Sequence, residues 1–130
     1  MTSEISFSIE NNIVMSFVTG KRTKENSIKL WQQAFDRCEQ ENIKKLQMNL
    51  ALDGHFSPFE AINNYQSIIE IVKNRGLQIA VVDINRNSSS ETQIGCNMGA
   101  SQGVNVNYFN SESEAMRWLM SDELTLEKMA

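Results

Sequence analysis

The fold is decided by the segment Val104-Asn-Val-Asn-Tyr-Phe-Asn110, which leads directly into Ser111-Glu-Ser-Glu-Ala-Met-Arg-Trp-Leu119. Successive side chains of a strand point to opposite faces, so the alternating valines and asparagines predict a strand that is apolar on one face only. Ser111 and Glu114 have the spacing of a capping box, which predicts that a helix begins there. Strands that are covered on both faces are apolar throughout. The segment therefore predicts an α/β sheet with its helices on one face.

A second alternating strand supports this interpretation. Leu46–Leu52 places leucine and methionine on one side and Gln47, Asn49 and Ala51 on the other. Together the two strands predict a polar strip on the uncovered face of the sheet, formed by Gln47, Asn49, Asn105 and Asn107. Such a face meets water or pairs with a second copy, so the sequence is compatible with a weak homodimer.

The N-terminal half supplies a hairpin and two helices. Two β-rich runs, Ile5–Ile9 and Ile13–Val18, flank asparagine-rich turn residues, which is typical of a β-hairpin. Thr23 is expected to cap the first helix. Ser57-Pro-Phe-Glu60 places serine at the cap, proline at the first helical position and glutamate at the third, which predicts a second helix. Gly76 is expected to end that helix in a left-handed conformation.

The C-terminal half continues the β-α pattern. Leu77–Ile84 is the most apolar run and is predicted to be the most central strand. Glu91–Ser101 is a poor helix because Gly95 and Gly99 each cost about 1 kcal/mol relative to alanine, so it is predicted to be a mobile gate. The element order is β-β-α-β-α-β-α-β-α, with right-handed crossovers. We expect one domain over residues 1–120 and a frayed tail over 121–130.

Composition excludes several classes of protein. The 130 residues fit one domain with its own core, and the net charge is −4. Lys21-Arg22 and Lys44-Lys45 are isolated pairs, so no nucleic-acid footprint is expected. The chain shows no export signal and no apolar run of the ~20 residues that cross a membrane. Two cysteines without a partner motif are expected to be free thiols, and the predicted location is the cytoplasm.

The element order, together with Glu114-Ala-x-x-Trp118-Leu119 after the Val-x-Val-x-Tyr-Phe strand, resembles the STAS/SpoIIAA-like family, especially its small single-domain bacterial members. The resemblance covers Ile5 to Leu119 and implies a mostly parallel sheet. In anti-sigma-factor antagonists of this family, a serine at the start of the second helix is phosphorylated within Asp-Ser-x-Gly and controls binding to a kinase. This chain has His55-Phe-Ser-Pro58 instead, without the aspartate and the glycine. Ser57 is therefore both a helix cap and a candidate phosphosite.

The carboxyl ends of the parallel strands are the expected binding rim, since ligands of parallel α/β sheets gather there. Its predicted members are Lys21, Arg22, Asp53, His55, Phe56, Asp83, Asn85 and Asn110. Within this rim, His55 and Asp53 could form a base and its orienting carboxylate, or be ordinary loop residues. Cys96 is a candidate reactive thiol or an inert one. No metal-ligand spacing and no phosphate-cradling glycine loop is present, so no cofactor and no metal are expected.

Three function classes remain open at this stage. The first is a non-enzymatic regulatory or protein-interaction module of STAS type. The second is a carrier or sensor of a small apolar ligand or lipid, as some small members of the family look able to be. The third is a hydrolase or thiol enzyme that uses His55 or Cys96. Four aromatic residues are predicted either to fill the core or to line the pocket of such a carrier: Trp31, Phe35, Tyr65 and Trp118.

Overall fold

The computed structural model describes the backbone of residues 3–129 and the side chains of residues 3–121. It contains five strands and four helices in the predicted order. The strands are β1 (Glu4–Glu10), β2 (Ile13–Lys21), β3 (Lys45–Asp53), β4 (Gln78–Asp83) and β5 (Asn105–Phe109). The helices are α1 (Lys24–Glu41), α2 (Pro58–Val72), α3 (Ser89–Ser101) and α4 (Glu112–Met129).

The sheet has the sequential order β1-β2-β3-β4-β5, and only the β1–β2 pair is antiparallel. Asn11 and Asn12 turn this hairpin with φ angles of 52° and 60°. Asparagine tolerates the left-handed region better than most residues, and a two-residue turn of this kind matches the strand twist. The predicted α/β fold and its hairpin are confirmed.

The prediction that all helices lie on one face is wrong for α4. The main core lies between α1–α3 and one face of the sheet. A second apolar cluster on the opposite face joins Ile13, Met15 and Val82 to Ala115 and Leu119 of α4. Helices α1, α2 and α3 each join two parallel strands, so the handedness of the crossover fixes their face. Helix α4 follows the last strand and joins it to no other, so no such constraint acts on it.

The predicted polar strip is therefore half covered. Gln47 and Asn49 are buried, while Asn105 and Asn107 are exposed. The Gln47 side-chain amide donates to Asn49 Oδ1 at 3.1 Å and to the Glu112 carbonyl of α4 at 3.3 Å. Because the side-chain amide nitrogens of Gln47 and Asn49 find acceptors on a strand or on α4, these polar residues are tolerated under a helix here.

Two further local predictions require correction. β4 is buried along its whole length, but β3 is the middle strand of the sheet. β4 is the most apolar strand because helices cover both of its faces, not because it is central. Helix α2 ends at Val72, before the predicted stop at Gly76, and Asn74 already has a φ of 77°. Gly76 does adopt the left-handed conformation, with φ 70°, in the turn before β4.

The glycines of α3 have a packing role. A Cβ atom on Gly95 would lie 2.7 Å from the ring of Tyr65, and one on Gly99 would lie 3.0 Å from Val106 Cγ1. The absence of side chains lets α3 approach both α2 and β5 closely. This closeness was not apparent from the sequence, where the same glycines only weaken the helix.

The C-terminal region is helical in α4 to Met129, while its side chains from residue 122 onward lie outside the described part. The frayed tail over 121–130 therefore remains a prediction. Among the helices of residues 3–129, none has both the length and the apolar composition of a bilayer-crossing helix.

Candidate functional site

Asp83 is the centre of a buried polar network at the carboxyl end of β4. The guanidinium of Arg22, which directly follows β2, lies 3.2 Å from Asp83 Oδ2, and the two side chains are 3% and 0% exposed. The hydroxyls of Ser88 and Thr92 donate to the same oxygen at 2.9 and 2.7 Å. The amide of Asn85 donates to Oδ1 at 3.0 Å. The network therefore links the end of β2, the end of β4 and the start of α3. Removing one member of a buried ion pair leaves an unpaired charge in the interior, which is strongly destabilising.

A second carboxylate links the loop before α2 to α3. Glu91 accepts from the backbone amide of Phe56 at 3.1 Å, and its other oxygen lies 3.4 Å from His55 Nδ1. His55 is mostly exposed, and the carboxylate beside it belongs to Glu91. The alternative in which Asp53 orients His55 is therefore wrong. Glu91 was missed because only its place in the first turn of a helix hinted at a role.

The remaining members of the predicted rim divide into two sets. Asn85 donates from its side-chain amide to the Leu52 carbonyl at 2.8 Å, and Phe56 is buried. Both therefore stabilise the loops. Exposed positions at the same edge are held by Lys21, Asp53 and Asn110. The predicted rim therefore consists of buried residues that are bonded to their neighbours and of exposed residues that meet solvent.

Ser57 is exposed and forms the predicted capping box. Its hydroxyl accepts from the Glu60 amide at 3.3 Å, and Glu60 Oε1 accepts from the Ser57 amide at 3.2 Å. The Ser57 hydroxyl and amide hold the pKa of Glu60 below its usual value because they stabilise the carboxylate.

Two large apolar side chains stand beside this cap. Phe59 is 77% exposed and Ile62 is 48% exposed. Ile62 lies outside the buried face of α2, which in this part of the helix is formed by Ala61, Asn64 and Tyr65. We call Ser57, Phe59 and Ile62 the α2 shoulder.

A cavity of about 60 Å³ lies between the sheet and helices α1–α3. Trp31, Phe35 and Tyr65 contribute to its wall, and Phe35 and Tyr65 are also members of the main core. Trp118 does not belong with them, since it packs on Phe109 on the other face of the sheet with ring centroids 5.3 Å apart. For Trp118 the structure agrees with the core alternative. The pocket alternative was wrong for this residue because it assumed that α4 shares the face of the other helices.

Both cysteines are free and buried. Burial raises the pKa of Cys38 to about 11 and that of Cys96 to about 12. A thiolate is the reactive form of cysteine, so neither thiol is poised for nucleophilic chemistry at neutral pH. Within residues 3–121, no group of three or more metal-ligating side chains is gathered.

Comparison with known proteins gives structural neighbours only. No protein-family model and no curated protein matches the chain. A protein of the DUF3478 family with a SpoIIAA-like fold, from Shewanella loihica PV-4, aligns with a TM-score of 0.53 at 12% identity over 91% of this chain and 94% of that one. A serine-to-glutamate variant of RsbS from Moorella thermoacetica aligns with a TM-score of 0.59 at 12% identity over 92% and 97%. The chain therefore has the SpoIIAA-like fold that its resemblance to STAS proteins implied.

Proposed function

We propose that this protein is a non-enzymatic regulatory module of STAS type that acts by binding a protein partner. The observation that carries the proposal is the α2 shoulder, where two large apolar side chains are exposed beside an accessible serine. The similarity in fold to RsbS supports it. The polar groups at the carboxyl edge add no catalytic arrangement, since Asp83, Arg22 and Glu91 are already engaged in structural contacts.

The shoulder has the chemistry of a docking surface for a protein with an apolar patch and a basic rim. Covering an exposed phenylalanine contributes about 1.5–3 kcal/mol. Phe59 follows directly on the proline that opens α2, and the carboxylate of Glu60 lies next to it. Asp53 is exposed at the end of β3, and the chain as a whole is acidic. A partner with lysine or arginine around an apolar centre would complement this surface.

Ser57 is the proposed control point of this surface. Its hydroxyl and amide both take part in the capping box with Glu60. A phosphate on Ser57 would carry a charge of about −1.5 to −2 at pH 7 and would repel the Glu60 carboxylate. The first turn of α2 would then change shape, and Phe59 would change position with it. Phosphorylation would in this way alter the docking surface itself.

Site-specific crosslinking tests the proposal. A photoreactive residue at position 59, and another at the exposed control position Asn107, would be introduced into the full chain in cells. We expect a different protein to be captured from position 59, whereas position 107 should capture no protein other than a second copy of this chain. The captured protein would then be purified and its affinity measured.

The affinity measurement decides the outcome. Phe59→Ala should weaken binding roughly 10–150-fold, which corresponds to the loss of about 1.5–3 kcal/mol. Asn107→Ala should leave the affinity unchanged. Equal affinity for wild type, Phe59→Ala and Ile62→Ala would refute the proposed surface. If Phe59→Ala and Asn107→Ala weakened binding equally, the association would be unspecific.

A second candidate function is a carrier or sensor of a small apolar ligand, and the cavity beside Tyr65 favours it. An engineered cavity of about 150 Å³ binds benzene, so a volume of about 60 Å³ is too small for a lipid chain unless the helices move. Native mass spectrometry of protein purified from cells separates the two functions. A retained lipid-sized mass would favour the carrier function, whereas a protein without such a mass would favour the interaction module. A hydrolase or thiol enzyme based on His55 or Cys96 receives no support from the geometry.

Two properties belong to the same proposal. A weak homodimer would use the part of the second sheet face that α4 leaves exposed, at Asn105 and Asn107. Sedimentation velocity over a concentration series measures such a dimer. Free buried Cys38 and Cys96 suit a reducing compartment, and we propose the cytoplasm.

A further inference from the structure

The cavity between the sheet and α1–α3 has buried polar atoms that lack a partner. Within residues 3–121, these are Arg22 Nε, Asn64 Oδ1 and the Tyr65 hydroxyl oxygen, and all three residues line the cavity. Arg22, Asn64 and Tyr65 are 8%, 1% and 9% exposed. Buried polar atoms in native proteins are almost always paired. The three atoms therefore indicate that an oxygen-bearing molecule occupies the cavity.

Two of the three residues, Arg22 and Tyr65, also lie beside the Asp83 network. Burial raises the pKa of Tyr65, while the Thr92 hydroxyl and the Arg22 charge act in the opposite direction. The Tyr65 hydroxyl thus lies close to Arg22 and Thr92. Most of the remaining wall is apolar, including Phe35, Leu50, Leu52, Ile68, Val81 and Val106.

Water alone does not match this lining. A buried water needs about 10–15 Å³ and two to four polar partners, so about 60 Å³ offers roughly four water-sized positions. Three unpartnered atoms cannot supply two to four polar partners to each of four waters. A molecule of about four non-hydrogen atoms, with one polar end and a short hydrocarbon body, would fill the whole volume.

Charge and hydrogen bonding narrow the chemical class of the ligand further. The positive charge of Arg22 is balanced by Asp83 at 3.2 Å, so the site does not call for an anion. Arg22 Nε can only donate, and Asn64 Oδ1 can only accept. A hydroxyl group accepts and donates at once, whereas a carbonyl or an ether only accepts. We infer that this cavity is a binding site for a neutral short-chain alcohol, or for a hydroxyl-terminated group of that size.

The inference is independent of the partner surface proposed above and can be tested with 1-propanol. Backbone amide NMR spectra of the full chain would be recorded during a titration with 1-propanol, propionate and n-propylammonium, which are similar in size and differ in charge. We expect saturable shifts for 1-propanol, confined to amides around the cavity such as Gly95 and Gly99. The two ions should bind at least tenfold more weakly.

Two variants and a control complete the test. Tyr65→Phe removes an unpartnered hydroxyl and should weaken 1-propanol binding at least tenfold. Tyr108→Phe removes a half-buried hydroxyl outside the cavity and should leave the affinity unchanged. Val81→Ile reduces the volume without removing a polar atom and should also weaken binding. Four results would each overturn the inference. In the titration, these are shifts that rise linearly over the whole surface, and ions that bind as tightly as 1-propanol. The others are a Tyr65→Phe variant that binds 1-propanol as tightly as wild type, and a crystal grown with 1-propanol in which the cavity contains only water.

Discussion

Replacing Gly95 by alanine sets two effects of known size against each other. Alanine favours an α-helix over glycine by about 1 kcal/mol. Its Cβ, however, would lie 2.7 Å from Cγ and Cδ2 and 2.9 Å from Cδ1 of Tyr65. Ordinary contacts between carbon atoms are about 3.5–4.0 Å, so a buried aromatic ring must move by nearly 1 Å. Overpacking costs typically 1–3 kcal/mol, and a close-packed ring places this site at the upper end.

We therefore expect Gly95→Ala to be destabilised by about 1–2 kcal/mol, measured by urea unfolding at 25 °C. Gly99→Ala is the matched control, because its Cβ would have one tight contact, with Val106 Cγ1 at 3.0 Å, and ordinary contacts with Val104 Cβ at 3.7 Å and Ile69 Cγ1 at 3.8 Å. Its clash and its gain in helix propensity should nearly cancel. Adding Tyr65→Leu to Gly95→Ala should show a favourable coupling energy. If Gly95→Ala were as stable as wild type or more stable, α3 would not be closely packed on α2 and the reasoning would fail.

The remaining predictions concern the cap, the buried charge, the thiols and the dynamics of α3. Ser57→Ala should lose about 1 kcal/mol of stability by thermal unfolding, while Ser57→Asp keeps a capping oxygen and should lose far less. Asp83→Asn leaves the neighbouring guanidinium without its counter-charge and should cost about 3–5 kcal/mol in urea unfolding, whereas a loss below 1 kcal/mol would contradict the network. The thiols of Cys38 and Cys96 ionise later in the folded state than in the unfolded chain, so stability should fall as the pH rises above about 9, by up to about 1.4 kcal/mol per pH unit for each thiol, and less steeply in the double alanine variant. Hydrogen exchange should be faster in α3 than in α2, and equal protection would remove the predicted gate.

Much of the fold was predictable because local patterns agree with one another. Alternation marked the strands, and Thr23 and the Ser57-Pro58 pair marked the starts of α1 and α2 as the structure has them. The side of the sheet taken by α4 was not predictable. Gln47 and Asn49 look like solvent-facing residues in a sequence, and only their bonds to each other and to α4 explain their burial.

The sequence predicted which residues lie at the candidate site, but not which of them form pairs. The rule for parallel sheets brought Arg22, Asp83 and His55 to the same edge, and the structure places them there. Whether a charged residue is buried depends on long-range contacts, so the pairing of Arg22 with Asp83 could not be read from positions 61 residues apart. The exposure of Phe59 was missed for a similar reason. The first turn of α2 lies beyond the part of the helix that packs on the core, and the sequence does not show where that packing begins.

The placement of α4 affects how the molecule can come apart. All five strands are paired before α4 begins, and the helix is joined to the sheet by one short connection after Phe109. Its detachment would uncover Ile13, Met15 and Val82 and would break no bond between strands. Such an element opens in a step of its own, at a lower free energy than global unfolding. Two copies in their opened forms could exchange their last helices and close again, which gives this fold a route to a domain-swapped dimer that leaves each sheet intact.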